Sequence, residues 1–417
     1  MRGWRRIGGL KHWPRVAPGI ADIAAASLAT FATGLFAARY LEARLLGVYA
    51  LFFITFQLAA EVPSRLVLVP GEVKLLDVPK VQRNQGFRVT LRFGVPMAFA
   101  AASLTMLAWI PGISSATAAE IGPVAATACV LSFLSPIQDH IRRLQHLAGI
   151  SRIAALMSIV QLVAVTAALM IALGRDIDPL WVPFGALSVA NAFSLAVGIA
   201  VSSRNGEPPE HFDLRYRELL RSGRWLLAMT LIPRVAEFGA GFLVAVLAGS
   251  TYLGFAEAAR IVARPLHVVI DGIAVVINPL AMEAGRNREP ETGARFTRLA
   301  TVAVPALALL MLLVVGINWS VNPLAPLIRN AYEVPGLVAV TILANAASGM
   351  LISQRAQLIG GGREAGLTGV EAMGSILLVV VALSAGVTHS FAIPLGLLAL
   401  YAARWIGYRT ALRNLYS

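Results

Sequence analysis

The chain is poor in charged residues and has almost no cysteine. Charged residues make up 14% of its 417 positions, against about a quarter in soluble domains. Hydrophobic residues make up 57%, and the mean hydropathy is +0.72. This composition excludes a soluble globule and predicts a polytopic membrane protein. The single cysteine, Cys129, lies inside an apolar run, which excludes a disulfide framework and a cysteine metal site.

Sequence motifs for zinc binding and for nucleotide binding are also missing. The six histidines show no HExxH spacing, and no GxxxxGK[ST] motif supports direct drive by ATP. Membrane spans of about 20 residues would use most of the chain, which leaves no room for an ATPase cassette or a nucleic-acid module. The net charge of +13 is carried between apolar runs, as flanking charge is in membrane proteins. We therefore expect no enzymatic activity, cofactor, metal or nucleic-acid partner.

Twelve hydrophobic runs are long enough to cross a bilayer. They predict an all-α polytopic membrane protein with about 12 transmembrane helices. The predicted spans cover residues 17–38, 46–69, 93–110, 119–136, 153–173, 180–201, 225–249, 253–282, 299–317, 334–353, 366–387 and 390–408.

The distribution of Lys and Arg predicts the orientation. When successive connectors are assigned to alternate sides, 26 of the 35 basic residues fall on one side and five inside spans. The other side has only Arg39, Arg44, Arg175 and Arg329. The positive-inside rule assigns the basic side to the cytoplasm. Both termini are then cytoplasmic, and we expect a multi-pass protein of a bacterial cytoplasmic (inner) membrane.

An internal repeat divides the chain. An offset of 207 residues aligns the end of the first predicted span with the end of the seventh without a gap, pairing Gly34 with Gly241 and Gly47 with Gly254. Six spans separate the copies, so the halves have the same orientation and are related by a pseudo-two-fold axis along the membrane normal. The predicted division is a six-helix N-lobe at 1–201, a cytoplasmic linker at 202–224 and a six-helix C-lobe at 225–417.

Ionisable side chains form a stripe on predicted span 8. Such a side chain costs about 2.5 to 3.5 kcal/mol at bilayer depth on insertion scales, so it normally faces a cavity or a partner. Glu257, Arg260, Arg264, His267 and Asp271 follow at spacings of 3, 4, 3 and 4, which places them on one helix face. The stripe either pairs internally or lines a water-filled cavity. The cavity is favoured because Arg260 and Arg264 leave positive charge that the stripe does not balance.

Predicted span 7 adds Arg234 and Glu237. Counting the helical rise from each membrane face brings Arg234 and Arg264 close to the bilayer midplane. Glu237 then lies level with Arg260, and we expect these two side chains to pair. The other ionisable candidates are Asp22 in span 1 and Glu61 and Arg65 in span 2, for which interface anchoring is the alternative to a cavity role.

Two segments resemble a known family. In residues 18–53, the first predicted span is followed by a short turn that ends at Leu46 and Gly47. Residues 233–286 repeat that turn, which there ends at Leu253 and Gly254, and continue to Pro279 and a basic loop. These segments resemble the polysaccharide transporter branch of the multidrug/oligosaccharidyl-lipid/polysaccharide exporter (MOP) superfamily.

The resemblance implies two six-helix lobes around a central cavity. It also implies a flippase that moves undecaprenyl-diphosphate-linked oligosaccharide units across the membrane by alternating access, for cell-surface polysaccharide biosynthesis. The implied partners are the lipid-linked glycan, membrane lipid, an H⁺ or Na⁺ coupling ion, and the polymerase and glycosyltransferases of the same pathway.

Side-chain chemistry suggests roles within that cycle. The arginine fork gives bidentate, charge-assisted hydrogen bonds to a diphosphate, and acidic residues or histidine at depth can exchange a coupling ion. We expect diphosphate binding by Arg234, Arg260, Arg264 and Arg65. We expect ion coupling or cavity lining by Asp22, Glu61, Glu237, Glu257, His267 and Asp271.

Three alternatives remain open. A cation-coupled drug or metabolite antiporter of the same superfamily would need a cavity biased towards acidic or aromatic residues. A membrane-embedded polysaccharide polymerase or glycosyltransferase would need a sizeable outer loop or convergent carboxylates. A scaffold without transport activity would leave the polar stripe of span 8 unexplained.

The topology predicts the outcome of reporter fusions. Reporters placed after Gly206 and Gly362 should report the cytoplasm, and those after Ser115 and Ser250 the outside, because an even number of spans separates the members of each pair. One span missed or invented would move every later loop to the opposite side. A single reporter on the wrong side would therefore contradict the twelve-span topology.

Overall fold

A computed structural model describes residues 13–113, 116–204, 214–316 and 322–417. Within these ranges all regular structure is helical and no β-strand occurs. Eleven of the described helical segments are long and apolar enough to cross a membrane, and Ser250–Arg286 adds a bent twelfth. The predicted all-α polytopic fold with about twelve spans is confirmed.

The spans are numbered here in chain order. Span 2 joins helix Ala43–Pro63 to helix Val69–Lys74 through a π-helical turn, and span 10 joins Leu337–Met350 to Ile352–Gly360. The bounds of spans 1 to 12 are Ala17–Tyr40, Ala43–Asp77, Lys80–Gly112, Ala118–Leu147, Ser151–Gly174, Val182–Arg204, Tyr216–Leu247, Ser250–Arg286, Pro290–Gly316, Leu337–Gly360, Glu364–Ala382 and Ala385–Tyr416.

Some helices extend beyond their apolar runs at the ends that carry the basic connectors. Span 4 continues to Leu147 and span 9 begins at Pro290, within the connectors 137–152 and 283–298 left between the predicted spans. An apolar run marks where the helix crosses hydrocarbon, whereas the helix itself continues as long as its backbone hydrogen bonds are the best available. Hydropathy alone therefore ended span 4 too early and began span 9 too late.

The predicted linker 202–224 is partly helical. Span 7 begins at Tyr216, and Leu214 and Leu219 are buried against Val67. This part of the segment is thus a packed helical start rather than a free connector. Residues 205–213 lie outside the described residues, as do the reporter positions Ser115 and Gly206.

Span 8 is bent at a proline. Its two parts, Ser250–Ala274 and Val276–Arg286, meet at an angle of 46°. Pro279 has no N–H to donate to the carbonyl four residues earlier, at position 275, so the helix is weakened where it bends.

Apolar side chains dominate the exposed surface of the spans. In a soluble protein such side chains would be buried, whereas a lipid-facing surface is expected to be apolar. Strongly exposed members include Val163, Met170, Phe193, Leu310, Leu313, Ile376 and Ile406. The chain is therefore a multi-pass membrane protein by its surface as well as by its helix lengths.

The structure divides into two compact units. The first comprises Met1–Thr33, Ala59–Leu104 and Thr127–Leu227, and the second Gly34–Leu58, Thr105–Ala126 and Ala228–Ser417. The first has an apolar cluster around Ile141 and Leu144, and the second one around Leu378 and Leu400. Two N-terminal segments thus group with the C-terminal half, and the lobe division at 201 and 225 stays a prediction.

Spans 2 and 8 cross through two glycines inside the second unit. A Cβ atom on Gly47 would collide with the backbone carbonyl of Ser250, and one on Gly254 would collide with that of Ala43. The two contacts are equivalent under the repeat, because Gly47 and Gly254 are 207 residues apart, as are Ala43 and Ser250. The predicted repeat therefore exists as a two-fold-related pair of contacts.

A second pair of contacts obeys the same symmetry. A Cβ atom on Gly34 would lie 3.3 Å from the side chain of Ile261, and one on Gly241 would lie 3.1 Å from that of Ile54. Gly34 and Gly241 are again 207 residues apart, as are Ile54 and Ile261. A local two-fold axis thus relates spans 1 and 2 to spans 7 and 8 in these segments.

The glycine crossing predicts a position-specific loss of stability. Gly47→Val should destabilise the purified protein by about 1 to 3 kcal/mol or more, since overpacking displaces backbone. Gly122→Val is the matched control, because a Cβ atom there meets nothing within 4 Å. The midpoint of thermal unfolding in one detergent measures both. Equal midpoints for the two variants would contradict the close crossing.

Candidate functional site

A cavity of about 210 Å³ lies within the second unit. Six spans contribute to its wall: spans 2, 7, 8, 10, 11 and 12. Its lining consists of Ile54, Gln57, Arg234, Glu237, Ala240, Arg260, Arg264, His267, Asn345, Leu378, Ile393, Leu397 and Tyr401. Five of the predicted site residues of spans 7 and 8 therefore line one cavity. Arg234, Arg260, Arg264 and His267 carry or can carry positive charge, and Glu237 supplies a carboxylate.

Arg234 is held by two neighbours in this wall. It donates a hydrogen bond of 2.6 Å to Glu237, one helical turn later on span 7. It donates a second, of 3.2 Å, to the side-chain carbonyl of Gln57 on span 2. Glu237 thus neutralises Arg234, and Gln57 fixes its direction.

Arg260 pairs with Glu257 instead of Glu237. Two hydrogen bonds of 2.6 and 2.5 Å join its guanidinium to that carboxylate, and Glu257 is only 3% exposed. The predicted pair of Glu237 with Arg260 is wrong. Each arginine takes the acid one turn away on its own helix, because that partner is already in reach and needs no alignment between helices.

Arg260 also lies over an aromatic ring. Its guanidinium carbon is 4.8 Å from the centroid of Phe53 on span 2, within cation–π distance. Phe53 was not expected from the sequence, where it reads as one apolar residue among many. The ring and Glu257 together hold Arg260 against the cavity wall.

Arg264 has no such support. It is half-buried and makes no hydrogen bond or ion pair with any residue that the structure describes. Glu237 and Glu257 pair with Arg234 and Arg260, so Arg264 is the arginine of the wall that forms no ion pair with a described residue. A guanidinium in a cavity without a carboxylate partner is a strong site for an anion.

The end of the polar stripe is weakly paired. His267 lines the cavity and lies 4.0 Å from Asp271, and both side chains are about half exposed. Asp271 is not part of the wall. Both interpretations of the stripe thus hold in part: its neighbours pair internally, and its arginines also line a cavity.

The charge of the cavity belongs to one copy of the repeat. Arg260 and Phe53 are 207 residues apart, as are Arg264 and Gln57, so residues at equivalent positions meet or face the same space. The first copy supplies an aromatic ring and an amide where the second supplies two guanidinium groups. A symmetric scaffold therefore carries an asymmetric site.

Glu61 and Arg65 belong to the first unit and do not line this cavity. They pair with each other at 2.8 Å, four residues apart on span 2. The pair explains both charges without a ligand, so the prediction that Arg65 binds diphosphate has no support from the geometry.

Asp22 is the centre of a buried network in the first unit. Its carboxylate is 4% exposed. It accepts hydrogen bonds from Ser158 at 2.5 Å and Arg142 at 3.2 Å, and lies 2.9 Å from the imidazole Nε2 of His146. Asp22 is thus paired within the unit, and its role in a cavity or as an interface anchor stays a prediction.

A second buried network lies close by in the sequence. His140 is fully buried, with Nδ1 2.7 Å from Glu72 and Nε2 2.6 Å from the hydroxyl of Thr90. Arg143 donates from Nε to both oxygens of Glu72. Sequence reasoning missed this network because it counted these charges as loop charge beside apolar runs.

Comparison with solved structures identifies the fold. An inward-facing multidrug resistance MATE family transporter of the MOP superfamily matches with a TM-score of 0.73 and 13% identity over 94% of both chains. The MATE multidrug transporter DinF-BH, in complex with R6G, matches with 0.69 and 11% over 98% and 97%. No family model and no curated protein sequence matches.

A third match is a transporter that is described by the polarity of its own binding pocket. A MOP superfamily transporter from Pyrococcus furiosus, whose binding pocket has a reverse polarity that suggests a different function, matches with a TM-score of 0.66 and 13% identity over 96% and 94% of the chains. At these identities the similarity establishes the fold alone. The chain has the fold of MOP superfamily transporters.

The ion pairs of span 8 predict how variants differ in stability. Glu257→Ala should destabilise the protein, because it leaves Arg260 without its carboxylate. Breaking a fully buried pair costs about 3 to 5 kcal/mol, and less is expected here since Arg260 is 36% exposed. Thermal unfolding of Glu257→Ala with Arg260→Ala should recover most of the loss.

The same measurement tests whether Arg260 pairs with Glu257 rather than with Glu237. Glu237→Ala with Arg260→Ala should not recover stability, because these residues are not partners. If that double variant is as stable as the parent while the Glu257 double variant is not, the observed pairing is wrong.

Proposed function

We propose that the chain exports undecaprenyl-diphosphate-linked oligosaccharide units across a bacterial cytoplasmic membrane, and that the cavity of the second unit binds the diphosphate. The guanidinium of Arg264, which forms no ion pair with a described residue, carries this proposal. It is a carrier function rather than an enzymatic one, with both termini in the cytoplasm. The glycan would then pass to the polymerase and glycosyltransferases of a surface polysaccharide pathway.

The chemistry of the wall fits a diphosphate. Arg264 offers a free planar fork, and Arg260 and Arg234 lie in the same wall to share the second phosphate. Charge-assisted hydrogen bonds of this kind are about twice as strong as neutral ones. The apolar part of the wall, formed by Leu378, Ile393 and similar residues, excludes water and strengthens these interactions.

The size of the cavity favours a headgroup over a whole molecule. Pockets that enclose drug-sized ligands hold about 300 to 1,000 Å³, whereas this cavity holds about 210 Å³. A lipid-linked substrate needs only its diphosphate enclosed, since its lipid tail can stay in the bilayer and its sugars in water.

Two sites are suited to a coupling ion. In the second unit, H⁺ or Na⁺ could replace Arg234 as the partner of Glu237. In the first unit, H⁺ or Na⁺ could replace His146 as a partner of Asp22. We propose that protonation of either carboxylate frees its cationic partner, which then has a changed affinity for the substrate. Coupling of this kind is consistent with ionisable groups held at membrane depth.

A drug or metabolite antiporter is the second candidate. It is favoured by the fold, because two of the matched structures are described as multidrug transporters. The positive cavity disfavours the cationic drugs for which an acidic pocket is suited, and favours anionic metabolites instead. A transport assay with each substrate separates the flippase from the antiporter.

Transport by purified protein tests the proposal. In proteoliposomes that contain a labelled undecaprenyl-diphosphate sugar, Arg264→Ala should reduce translocation at least tenfold, because loss of a charge-assisted contact of about 1.5 to 3 kcal/mol corresponds to ten- to hundredfold. Arg264→Lys should recover part of it, since charge is kept and the fork is lost. Arg298→Ala, an exposed arginine outside the cavity, is the matched control.

The outcomes divide the two functions. Translocation that depends on Arg264 supports the flippase. No translocation of the lipid-linked sugar by the parent protein, together with Arg264-dependent uptake of an anionic metabolite, would replace it with the antiporter. Normal translocation by Arg264→Ala would contradict the role of the cavity in binding diphosphate.

A further inference from the structure

A second arginine-lined site lies in the second unit, away from the cavity. A cleft of about 480 Å³ is lined by Arg39 and Tyr40 at the end of span 1 and by Arg329 and Ala331 in the segment before span 10. Arg39 and Arg329 are two of the four basic residues on the predicted outer side. Basic residues are scarce on that side, so their convergence is not explained by flanking charge.

The backbone fixes this convergence. The amide of Arg329 donates to the carbonyl of Ala38 at 3.4 Å, and the hydroxyl of Tyr332 donates to the carbonyl of Leu41 at 2.6 Å. Burial raises the pKa of Tyr332, which keeps its hydroxyl protonated as a donor. The segment that carries Arg329 is therefore tied to the end of span 1.

Neither guanidinium of the cleft is satisfied by the protein. Arg39 and Arg329 make no side-chain hydrogen bond or ion pair with any residue in the described ranges. Arg44, on the same predicted side, contrasts with them because it donates two hydrogen bonds, of 3.1 and 2.5 Å, to Glu120. Two acids lie close in the sequence, Glu42 in the turn after span 1 and Glu333 four residues after Arg329, and neither forms an ion pair with these arginines in the described ranges.

An aromatic ring completes the site. Tyr40 is 43% exposed, and its ring is held by Phe36, with centroids 4.5 Å apart. A partly exposed aromatic ring of this kind is a platform on which a sugar can stack. Two unpaired arginines beside it fit a phosphate linked to a sugar.

We propose that this cleft is an outer subsite that binds the sugar diphosphate group, with phosphate oxygens on Arg39 and Arg329 and the first sugar on Tyr40. The inference rests on the proposed function and extends it: the same anionic group held by Arg264 in the cavity is received here at the outer face. An anionic phospholipid headgroup shares this phosphate chemistry and is the other source of ligand.

Protection of an engineered cysteine tests the site. Ala331→Cys, in a Cys129→Ala background and in nanodiscs of neutral lipid, should react with a maleimide, since Ala331 is exposed. Inorganic pyrophosphate at ten times its dissociation constant should slow that reaction about tenfold by mass action. Ile177→Cys, exposed in the turn between spans 5 and 6, is the control and should react at an unchanged rate.

Charge variants show whether the arginines are responsible. Arg39→Gln with Arg329→Gln should raise the pyrophosphate concentration needed for protection by about tenfold or more, whereas Arg175→Gln, on the same predicted side, should not. No protection by pyrophosphate, or equal protection in the double variant, would overturn the proposal. Sharp size-exclusion profiles and an unchanged reaction rate without ligand confirm that each variant is folded.

Lipid composition separates the two sources. If anionic phospholipid in the nanodisc protects Ala331→Cys by itself and pyrophosphate adds nothing, the site serves lipid headgroups and the sugar diphosphate role is overturned. Translocation in proteoliposomes distinguishes this inference from the proposed function. Normal translocation by the Arg39 and Arg329 double variant overturns the subsite alone, whereas protection without any translocation by the parent overturns the flippase and leaves an anion site.

Discussion

The close crossing of spans 2 and 8 sets the geometry of the second unit. Lipid tails are as apolar as leucine, so helices in a bilayer associate through close packing rather than through a hydrophobic driving force. At Gly47 and Gly254 the absence of a side chain lets backbone touch backbone. Phe53 and Arg260 follow six residues later on the two helices, about 9 Å along each axis, and so meet at the same depth. The position of the charged wall therefore depends on two missing side chains.

That geometry makes the difference between the repeats functional. Two copies related by a two-fold axis present equivalent positions to one space, and identical side chains there would give a symmetric site. Here the first copy presents Phe53 and Gln57, and the second presents Arg260 and Arg264. The neutral copy does more than dilute charge, because Phe53 supports one guanidinium and Gln57 directs Arg234. One repeat thus supplies charge and the other orients it.

The sequence predicted those features that depend on local spacing. Hydropathy predicted the spans, and the offset of 207 residues predicted the repeat, although not the helix crossing at its glycines. Spacings of three and four predicted the polar face of span 8. The partner of Arg260 could not be chosen in the same way, because Glu237 and Glu257 were both plausible until helix rotation was known. Networks such as Glu72 with His140 join residues 68 positions apart and depend on helices that continue beyond their apolar runs, which hydropathy does not report.

Pairing separates charges that build the protein from charges that await a ligand. A buried ion pair gains little over apolar packing, but once both partners are present each is costly to remove, so paired residues such as Arg260 and Glu257 behave as architecture. An unpaired buried guanidinium is different, because no partner within the protein offsets the free-energy cost of its desolvation. Arg264 in the cavity is therefore stabilised best when an anion is bound, whereas Arg39 and Arg329 in the outer cleft are exposed to solvent. A substrate that carries phosphate would therefore lower the free energy of the cavity when it binds.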